Sequence, residues 1–166
     1  MTGPNAVGFG LGSKIANRHA MTPGPLQQSA VCRTVIGCAI EVHRHLGAGL
    51  LESTYSPCLA HELTQQRLRF RVQVPVPVTY KGIDIDCSYR ADFIVEDTLL
   101  IELKSVERLL PIHDAQVLTY LKLTGAQQAL LMNFNVPRLV DGLRSFLGRK
   151  HLVDMKGPEV GQREEG

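Results

Sequence analysis

Apolar residues early in the chain recur with the period of an α-helix. From position 30 to position 46 they return at steps of three or four, which places them on one helical face, and Gly47 follows as a stop signal. The face consists of Val31, Val35, Ala39, Val42 and Leu46. The pattern therefore predicts a helix over 30–46.

A second run with the same spacing follows the glycine-containing corner at positions 47–50. It extends from Leu51 to about residue 66 and predicts a second helix. Pro57 lies inside this run, where its missing N–H is tolerated only in or near the first helical turn. We therefore expect the helix to begin near Ser53 or Thr54.

The period changes to two in the next segment. Apolar residues alternate with polar residues and two prolines through 70–80, which predicts a half-buried strand at the edge of a sheet. Lys-Gly at 81–82 predicts a turn. Two further strands are expected, one over 83–95 with an interruption near 87–88, and one over 99–105.

The remaining chain carries helix and strand patterns in turn. We expect a helix over 111–123 closed by Gly125, a buried strand over 129–134 and a last helix over 137–147. A strand, helix and strand in this order suggests a crossover between parallel neighbours. The whole order predicts an α/β domain over 29–148, in which helices flank a mixed β-sheet.

Composition excludes several classes of protein. The 166 residues suit one domain, and 18 Lys and Arg against 16 Asp and Glu leave a net charge of +2, too small for a protein that coats nucleic acid by charge alone. No apolar run suits a membrane span or a signal peptide, so we expect a cytoplasmic protein without a membrane partner. Residues 1–28 and 149–166 are expected to be flexible segments.

The four cysteines stand at positions 32, 38, 58 and 87, with no closely spaced pair among them. A structural zinc site needs such pairs, so we expect reduced, buried and chemically idle thiols. Candidate chemistry must therefore come from other side chains.

Charged residues concentrate in the segment RADFIVEDTLLIELK, which reads as two strands and a turn. Successive strand residues face opposite sides of a sheet, so Glu102 and Lys104 share one face. Arg90 and Asp92 likewise share one face of the preceding strand. A three-residue loop centred on Asp97 would pair Asp92 directly with Glu102.

Two facing carboxylates destabilise a sheet unless a cation lies between them. Mg²⁺ suits carboxylate oxygens, and together with the adjacent Lys104 it would equip this hairpin to hydrolyse a phosphodiester. The alternative is an ordinary solvated face on which the same residues form surface ion pairs.

Side chains elsewhere in the sequence could serve the same site. Gln116 and Tyr120 share a face of the following helix, with His113 one turn earlier, and offer hydrogen bonds to phosphates or a ring for base stacking. The alternative places Tyr120 in the core and Gln116 at the surface. Glu52, at the start of the second helix, is either a third metal ligand or a capping partner of its own helix, and Tyr55 is expected to pack rather than to catalyse.

Several segments resemble the GxxExxY family. GAGLLESTY matches the motif that names the family through Gly49, Glu52 and Tyr55. The resemblance covers about residues 30–147 and continues through IEVHRHLG, YRADFIVED, IELKSVE, QVLTYL and LLMNFNVPRLVDGLRS. That family is similar to the PD-(D/E)XK nuclease superfamily, and the glutamine and tyrosine of QVLTY resemble a motif of RecB-type nucleases.

The resemblance implies a restriction-endonuclease-like fold, with an αβββαβ core plus an N-terminal helix. It implies a catalytic group that consists of Asp92, Glu102, Lys104 and Glu52. It also implies Gln116 and Tyr120 as nucleic-acid-binding residues. We expect Mg²⁺, with Mn²⁺ as a substitute, at a site formed by Asp92, Glu102, Glu52 and the backbone carbonyl of Leu103.

Two positions depart from the family's pattern, because Ala91 replaces the proline before Asp92 and Pro57 lies within the motif helix. Some RecB-type nucleases carry an iron–sulfur cluster on cysteines further along the chain. Here all four cysteines precede Asp92, so we expect no iron–sulfur cluster.

The expected function is a Mg²⁺-dependent nuclease that acts on DNA in repair or processing, with a homodimer or a partner protein left open. The alternative is a catalytically silent module on the same fold that binds nucleic acid or protein. A modest basic patch would support that alternative, and it consists of Arg138, Arg144, Arg149, Lys150 and Lys156.

Overall fold

The computed structural model of the protein describes residues 29–85 and 89–148, and within them three α-helices surround a central β-sheet. The elements in chain order are α1 (Ala30–Leu46), α2 (Glu52–Gln65), β1 (Phe70–Pro75), β2 (Val78–Tyr80), β3 (Ile83–Ile85), β4 (Arg90–Val95), β5 (Leu99–Lys104), α3 (Pro111–Thr124), β6 (Gln128–Asn133), a 3₁₀ helix (Leu139–Gly142) and β7 (Leu143–Leu147). The segments 1–28 and 149–166, expected to be flexible, lie outside the described residues.

The central sheet has the strand order β1-β4-β5-β6-β7. Only the β5–β6 pair is parallel among these neighbours, and α3 makes the connection between the two strands. The predicted mixed sheet and the parallel pairing across a helix are therefore confirmed. The edge position predicted for the proline-containing strand is also confirmed, because β1 pairs only with β4 in this sheet.

The two faces of the sheet bury separate cores. Alternate residues of β5 point to opposite sides, so Leu99 and Ile101 pack with α1 and α2, whereas Leu100 packs with α3. Each fully buried leucine or isoleucine contributes on the order of 2 kcal/mol through removal of apolar surface from water. The catalytic candidates of β5 lie on the α3 side, between the sheet and that helix.

The strand predicted over 70–80 is divided into two, which corrects the sequence prediction. β1 ends at Pro75, and β2 pairs with β3 in a separate two-stranded sheet through the predicted turn at Lys81 and Gly82. Pro77 has no N–H to donate, so the ladder with β4 cannot continue past it. β3 ends at Ile85 and β4 begins at Arg90, and the interruption expected near 87–88 lies outside the described residues.

The helix predicted over 137–147 is wrong. A short 3₁₀ helix ends at Gly142, and residues 143–147 form β7, antiparallel to β6. Gly142 passes so close to β6 that a Cβ there would collide with the carbonyl oxygen of Asn133. Apolar residues at 139, 143 and 146 fit a helical period, but the fully buried β6 needs a hydrogen-bonding partner at its free side, and this requirement decides the structure.

Helix α2 begins slightly earlier than predicted, at Glu52 rather than near Ser53 or Thr54. Pro57 is therefore the sixth helical residue and lies beyond the first turn, where it removes one backbone hydrogen bond. None of the helices in the described ranges is long and apolar enough to cross a membrane.

Candidate active site

The hairpin of β4 and β5 places the acidic candidates beside each other. Its turn comprises residues 96–98, and the ladder pairs Val95 with Leu99 and Phe93 with Ile101, a register centred on Asp97. Asp92 and Glu102 are the next positions on the two strands. The predicted hairpin register is therefore confirmed.

The ladder between β4 and β5 ends at Phe93 and Ile101, and the Asp92 side chain takes over one of the next hydrogen bonds. Its Oδ2 accepts the backbone N–H of Leu103 at 2.8 Å. Burial raises the pKa of Asp92, although the hydrogen bond from Leu103 partly offsets this effect. Ala91 packs on the α3 side while Phe93 packs on the other, so the strict alternation predicted for β4 is wrong at this point.

Glu102 is almost fully buried, with 3% of its surface exposed. Its Oε1 accepts hydrogen bonds from Lys104 Nζ at 2.6 Å and from Gln116 Nε2 at 2.8 Å. Burial, followed by the negative charge of Asp92, raises the pKa of Glu102 from 4.5 to about 7. Burial is the largest single influence on Lys104 and would lower its pKa. The hydrogen bond to Glu102 and the negative charges of Glu102, Glu52 and Asp92 together outweigh burial, so the pKa of Lys104 is raised. The burial of Glu102 excludes the alternative in which this face of the hairpin is solvated and carries only surface ion pairs.

The second oxygen of Glu102 has no hydrogen-bond partner. Oε2 is buried, and it is the one buried side-chain nitrogen or oxygen without a partner among the described residues. An unsatisfied buried polar atom costs about 1–3 kcal/mol, and more when the group is charged. A cation beside Oε2 would remove this cost.

Glu52 reaches the same end of the sheet from the first turn of α2. Its Oε1 accepts the backbone N–H of Ser105, immediately after β5, at 3.0 Å. The negative charge of Glu52 contributes to the raised pKa values of Asp92, Glu102 and Lys104. The three acidic candidates are therefore brought together, and Glu52 hydrogen-bonds across to the strand rather than only capping its own helix.

Helix α3 contributes Gln116 and Tyr120 to the site, but not in equal ways. Gln116 Nε2 donates to both Glu102 Oε1 and the Tyr120 hydroxyl, the latter at 3.1 Å. Tyr120 is only 4% exposed, so the prediction of a stacking surface on its ring is wrong. The alternative of a core position fits Tyr120, but not Gln116, which binds Glu102. His113 does not reach the site and instead accepts the N–H of Leu110 at the helix start.

Two residues near the site were not predicted from the sequence. Tyr89 is 55% exposed and lies edge-on to Tyr120, with the ring centroids 6.3 Å apart. Gln73 of β1 donates from Nε2 to Asp92 Oδ1 at 2.9 Å. Tyr89 belongs to the YRADFIVED segment that resembles the GxxExxY family, whereas nothing in the alternating pattern of 70–80 distinguishes Gln73 from any other polar strand residue.

Tyr55 packs away from the reacting groups, as expected. Its ring stacks on Phe134 with centroids 4.3 Å apart. Its hydroxyl donates to the carbonyl of Gly47 at 2.7 Å and accepts the N–H of Leu50 at 3.2 Å. The motif tyrosine therefore fixes the loop that leads into Glu52.

Among the residues that the structure describes, neither the thiols nor the basic patch forms a second site. Cys32 and Cys38 are buried, burial raises the pKa of each thiol, and Cys58 is also free; Cys87 lies outside the described residues. The patch cations within the described chain are already paired, Arg138 with Asp141 and Arg144 with Asp114. The remaining ones lie outside the described residues, and they are Arg149, Lys150 and Lys156.

Carboxylate oxygens are the donors that this site offers to the expected divalent cation. No group of three His, Cys, Asp or Glu side chains within 29–85 and 89–148 converges as a ready-made metal site. The carboxylates instead accept hydrogen bonds from neighbouring residues. Even so, the unpartnered Oε2 of Glu102 lies within a cluster of three acids, and carboxylate oxygens are the donors that Mg²⁺ and Mn²⁺ prefer. The residues present therefore fit the cation, provided that some of these hydrogen bonds are exchanged.

Comparison with known proteins identifies the class. A family model described as the PD-(D/E)XK nuclease superfamily matches residues 29–146, so the chain belongs to that superfamily. Among curated proteins and solved structures, no match to the chain is found. The helices and mixed five-stranded sheet agree with the restriction-endonuclease-like α/β fold expected for this superfamily. The narrower resemblance to the GxxExxY family remains a prediction.

Proposed function

We propose that this protein is a divalent-metal-dependent nuclease that hydrolyses phosphodiester bonds of DNA, in repair or processing in the cytoplasm. One observation carries the proposal: a buried carboxylate, Glu102, keeps an unpartnered oxygen beside a second acid and a lysine in a chain of the nuclease superfamily. The nuclease domain is proposed to span 29–148.

The acidic cluster supplies the proposed metal ligands. Asp92, Glu102 and Glu52, with the backbone carbonyl of Leu103, would hold Mg²⁺ or Mn²⁺. When bound, such a cation orients and acidifies the attacking water and neutralises charge on the phosphate. Glu102 must be ionised to serve as a ligand. Its pKa of about 7 therefore makes metal affinity increase as the pH rises through neutrality.

Lys104 is proposed to stabilise the negative charge that develops on the phosphate oxygens. Its raised pKa keeps the ammonium group protonated at neutral pH, so it acts as a cation and a hydrogen-bond donor rather than as a general base. In the structure the ammonium group donates to Glu102 Oε1. A cation held by Glu102 would neutralise part of its charge and would leave Lys104 available to the substrate.

Two groups are proposed to contact the substrate, the amide of Gln116 and the exposed ring of Tyr89. Gln116 holds Glu102 and can donate to a phosphate oxygen, whereas buried Tyr120 acts by orienting the Gln116 amide. Tyr89, exposed and in contact with Tyr120, offers the ring on which an unstacked base can lie.

Cleavage of defined DNA tests the proposal. The full chain is incubated with single-stranded, duplex and branched DNA, with Mg²⁺, with Mn²⁺ or with EDTA, beside Glu102→Gln and a matched control, Glu41→Gln. Glu41 forms only surface ion pairs on α1, so its substitution should leave cleavage unchanged. We expect cleavage that needs the metal and is lost in Glu102→Gln alone. DNA binding without cleavage of any substrate, equal in all three proteins, would instead establish the silent binding module.

A further inference from the structure

Gln73 adopts a backbone conformation that is unusual for a residue within a strand. Its φ is 49°, in the left-handed region that disfavours residues other than glycine, asparagine and aspartate. Its neighbours pair regularly with β4, Val72 with Phe93 and Val74 with Ala91. The intervening positions, Gln73 and Asp92, form no such pair. The distortion of β1 is therefore local and lies directly opposite Asp92.

The Gln73 side chain uses this conformation to reach Asp92. Nε2 donates to Oδ1 at 2.9 Å, while Oδ2 accepts the Leu103 N–H, so both carboxylate oxygens are held from neighbouring strands. The carbonyl of Gln73 accepts a bond from Arg90 Nη1 at 3.2 Å. Gln73 is exposed, so packing of its side chain in the core does not impose the unfavourable φ.

We propose that Gln73 is a positioning residue that holds the Asp92 carboxylate in the orientation needed for metal binding. The proposal rests on the proposed function, because the carboxylate is positioned for the same cation. Backbone strain persists where it serves a functional geometry, and a hydrogen bond to a ligating carboxylate tunes metal affinity from outside the ligand set. With the backbone in this left-handed conformation, the Gln73 amide reaches Asp92 on the neighbouring strand.

The two contributions of Gln73 are separated by substituting glycine and alanine in the full chain. Both remove the amide, but only glycine relieves the unfavourable φ. We expect Gln73→Gly to melt about 3 °C above Gln73→Ala, since a strained φ lowers stability in the alanine variant alone. We expect both variants to lose Mn²⁺ affinity equally, by about 10-fold or more, because that effect depends on the amide.

Mn²⁺ binding is measured by calorimetry and by electron paramagnetic resonance, apart from any cleavage assay. Gln65→Ala, on the exposed end of α2, is the control and should change neither the affinity nor the melting temperature. Wild-type affinity in both Gln73 variants would overturn the positioning role while leaving the nuclease proposal intact. A wild-type protein that neither binds Mn²⁺ nor cleaves DNA would overturn both. Should the alanine variant fail to fold, the glycine variant still decides the outcome.

Discussion

Replacing Glu102 with glutamine removes one ionisable group from the buried site and nearly preserves its shape. The amide oxygen can still accept from Lys104 and Gln116, as Oε1 does in the wild type. What disappears is the negative charge that develops when Glu102 loses its proton inside the protein. The substitution therefore isolates the free energy of ionising this carboxyl group.

The magnitude follows from the pKa. In the unfolded chain Glu102 titrates near 4.5, and in the folded protein its pKa is about 7. Because the folded value is higher, protonation favours folding: the stabilisation is fully present below about pH 4.5 and is lost as the pH rises through 7. At about 1.4 kcal/mol per pH unit, the metal-free wild type loses about 3 kcal/mol that Glu102→Gln keeps.

Urea unfolding of both proteins in EDTA, followed by circular dichroism at pH 5 and pH 8, measures this difference. At pH 5 we expect a difference below about 1 kcal/mol, because Glu102 is still protonated in the folded protein and resembles glutamine, while only the unfolded chain has begun to ionise. At pH 8 we expect Glu102→Gln to be the more stable protein by up to about 3 kcal/mol, reduced by the ion pair that Lys104 loses. Mg²⁺ should restore stability to the wild type at pH 8 and have little effect on the variant.

A difference in stability between the two proteins that is the same at pH 5 and pH 8 would contradict a raised pKa for Glu102. A variant that becomes less stable than the wild type at pH 8 would contradict it as well. That result would mean that the ion pair with Lys104 outweighs burial and lowers the pKa of Glu102.

Three further substitutions test separate parts of the site and fold. Lys104→Met removes the ammonium charge and should lower kcat about 10²- to 10³-fold in initial-rate assays with Mg²⁺. The control, Lys122→Met on the exposed side of α3, should leave kcat unchanged. Similar rates for the two variants would contradict a role for Lys104 in the mechanism. Tyr89→Ala should weaken single-stranded DNA binding about 10-fold by fluorescence anisotropy in the Glu102→Gln background, and Tyr89→Phe should not. When the DNA carries an abasic site where the base would stack on Tyr89, Tyr89→Ala should no longer weaken binding. If Tyr89→Ala weakens binding to abasic DNA just as much, stacking is contradicted. Pro57→Ala should raise the free energy of unfolding, measured in urea, by about 1–3 kcal/mol, because it returns an N–H to the helix interior. An unchanged free energy of unfolding would show that α2 has already adapted to the missing hydrogen bond.

Local pattern was sufficient to predict much of this structure. Helical spacing identified α1 and α3, and alternation combined with a three-residue turn set the register that brings Asp92 beside Glu102. The hairpin register was predictable because strand pairing fixes every residue relative to the turn.

Features that depend on distant neighbours were not predictable. β7 has a helical pattern of apolar residues but pairs with β6, and the burial of Tyr120 depends on what α3 packs against. The role of Gln73 depends on a single backbone dihedral angle opposite Asp92. Nothing about a glutamine in a strand pattern predicts that angle. Tertiary contacts decide such cases over local preference.

The GxxExxY residues act as one spatial unit in this chain. Gly49, at a φ of 93°, allows the chain to turn, and the Tyr55 hydroxyl ties both sides of that turn together through Gly47 and Leu50. Glu52 begins the helix between them and reaches Ser105. Each helical residue rotates the chain by about 100°, so inserting one residue between Glu52 and Tyr55 would swing the acid away from the sheet even with every motif residue retained. The spacing within the motif therefore carries as much information as its letters.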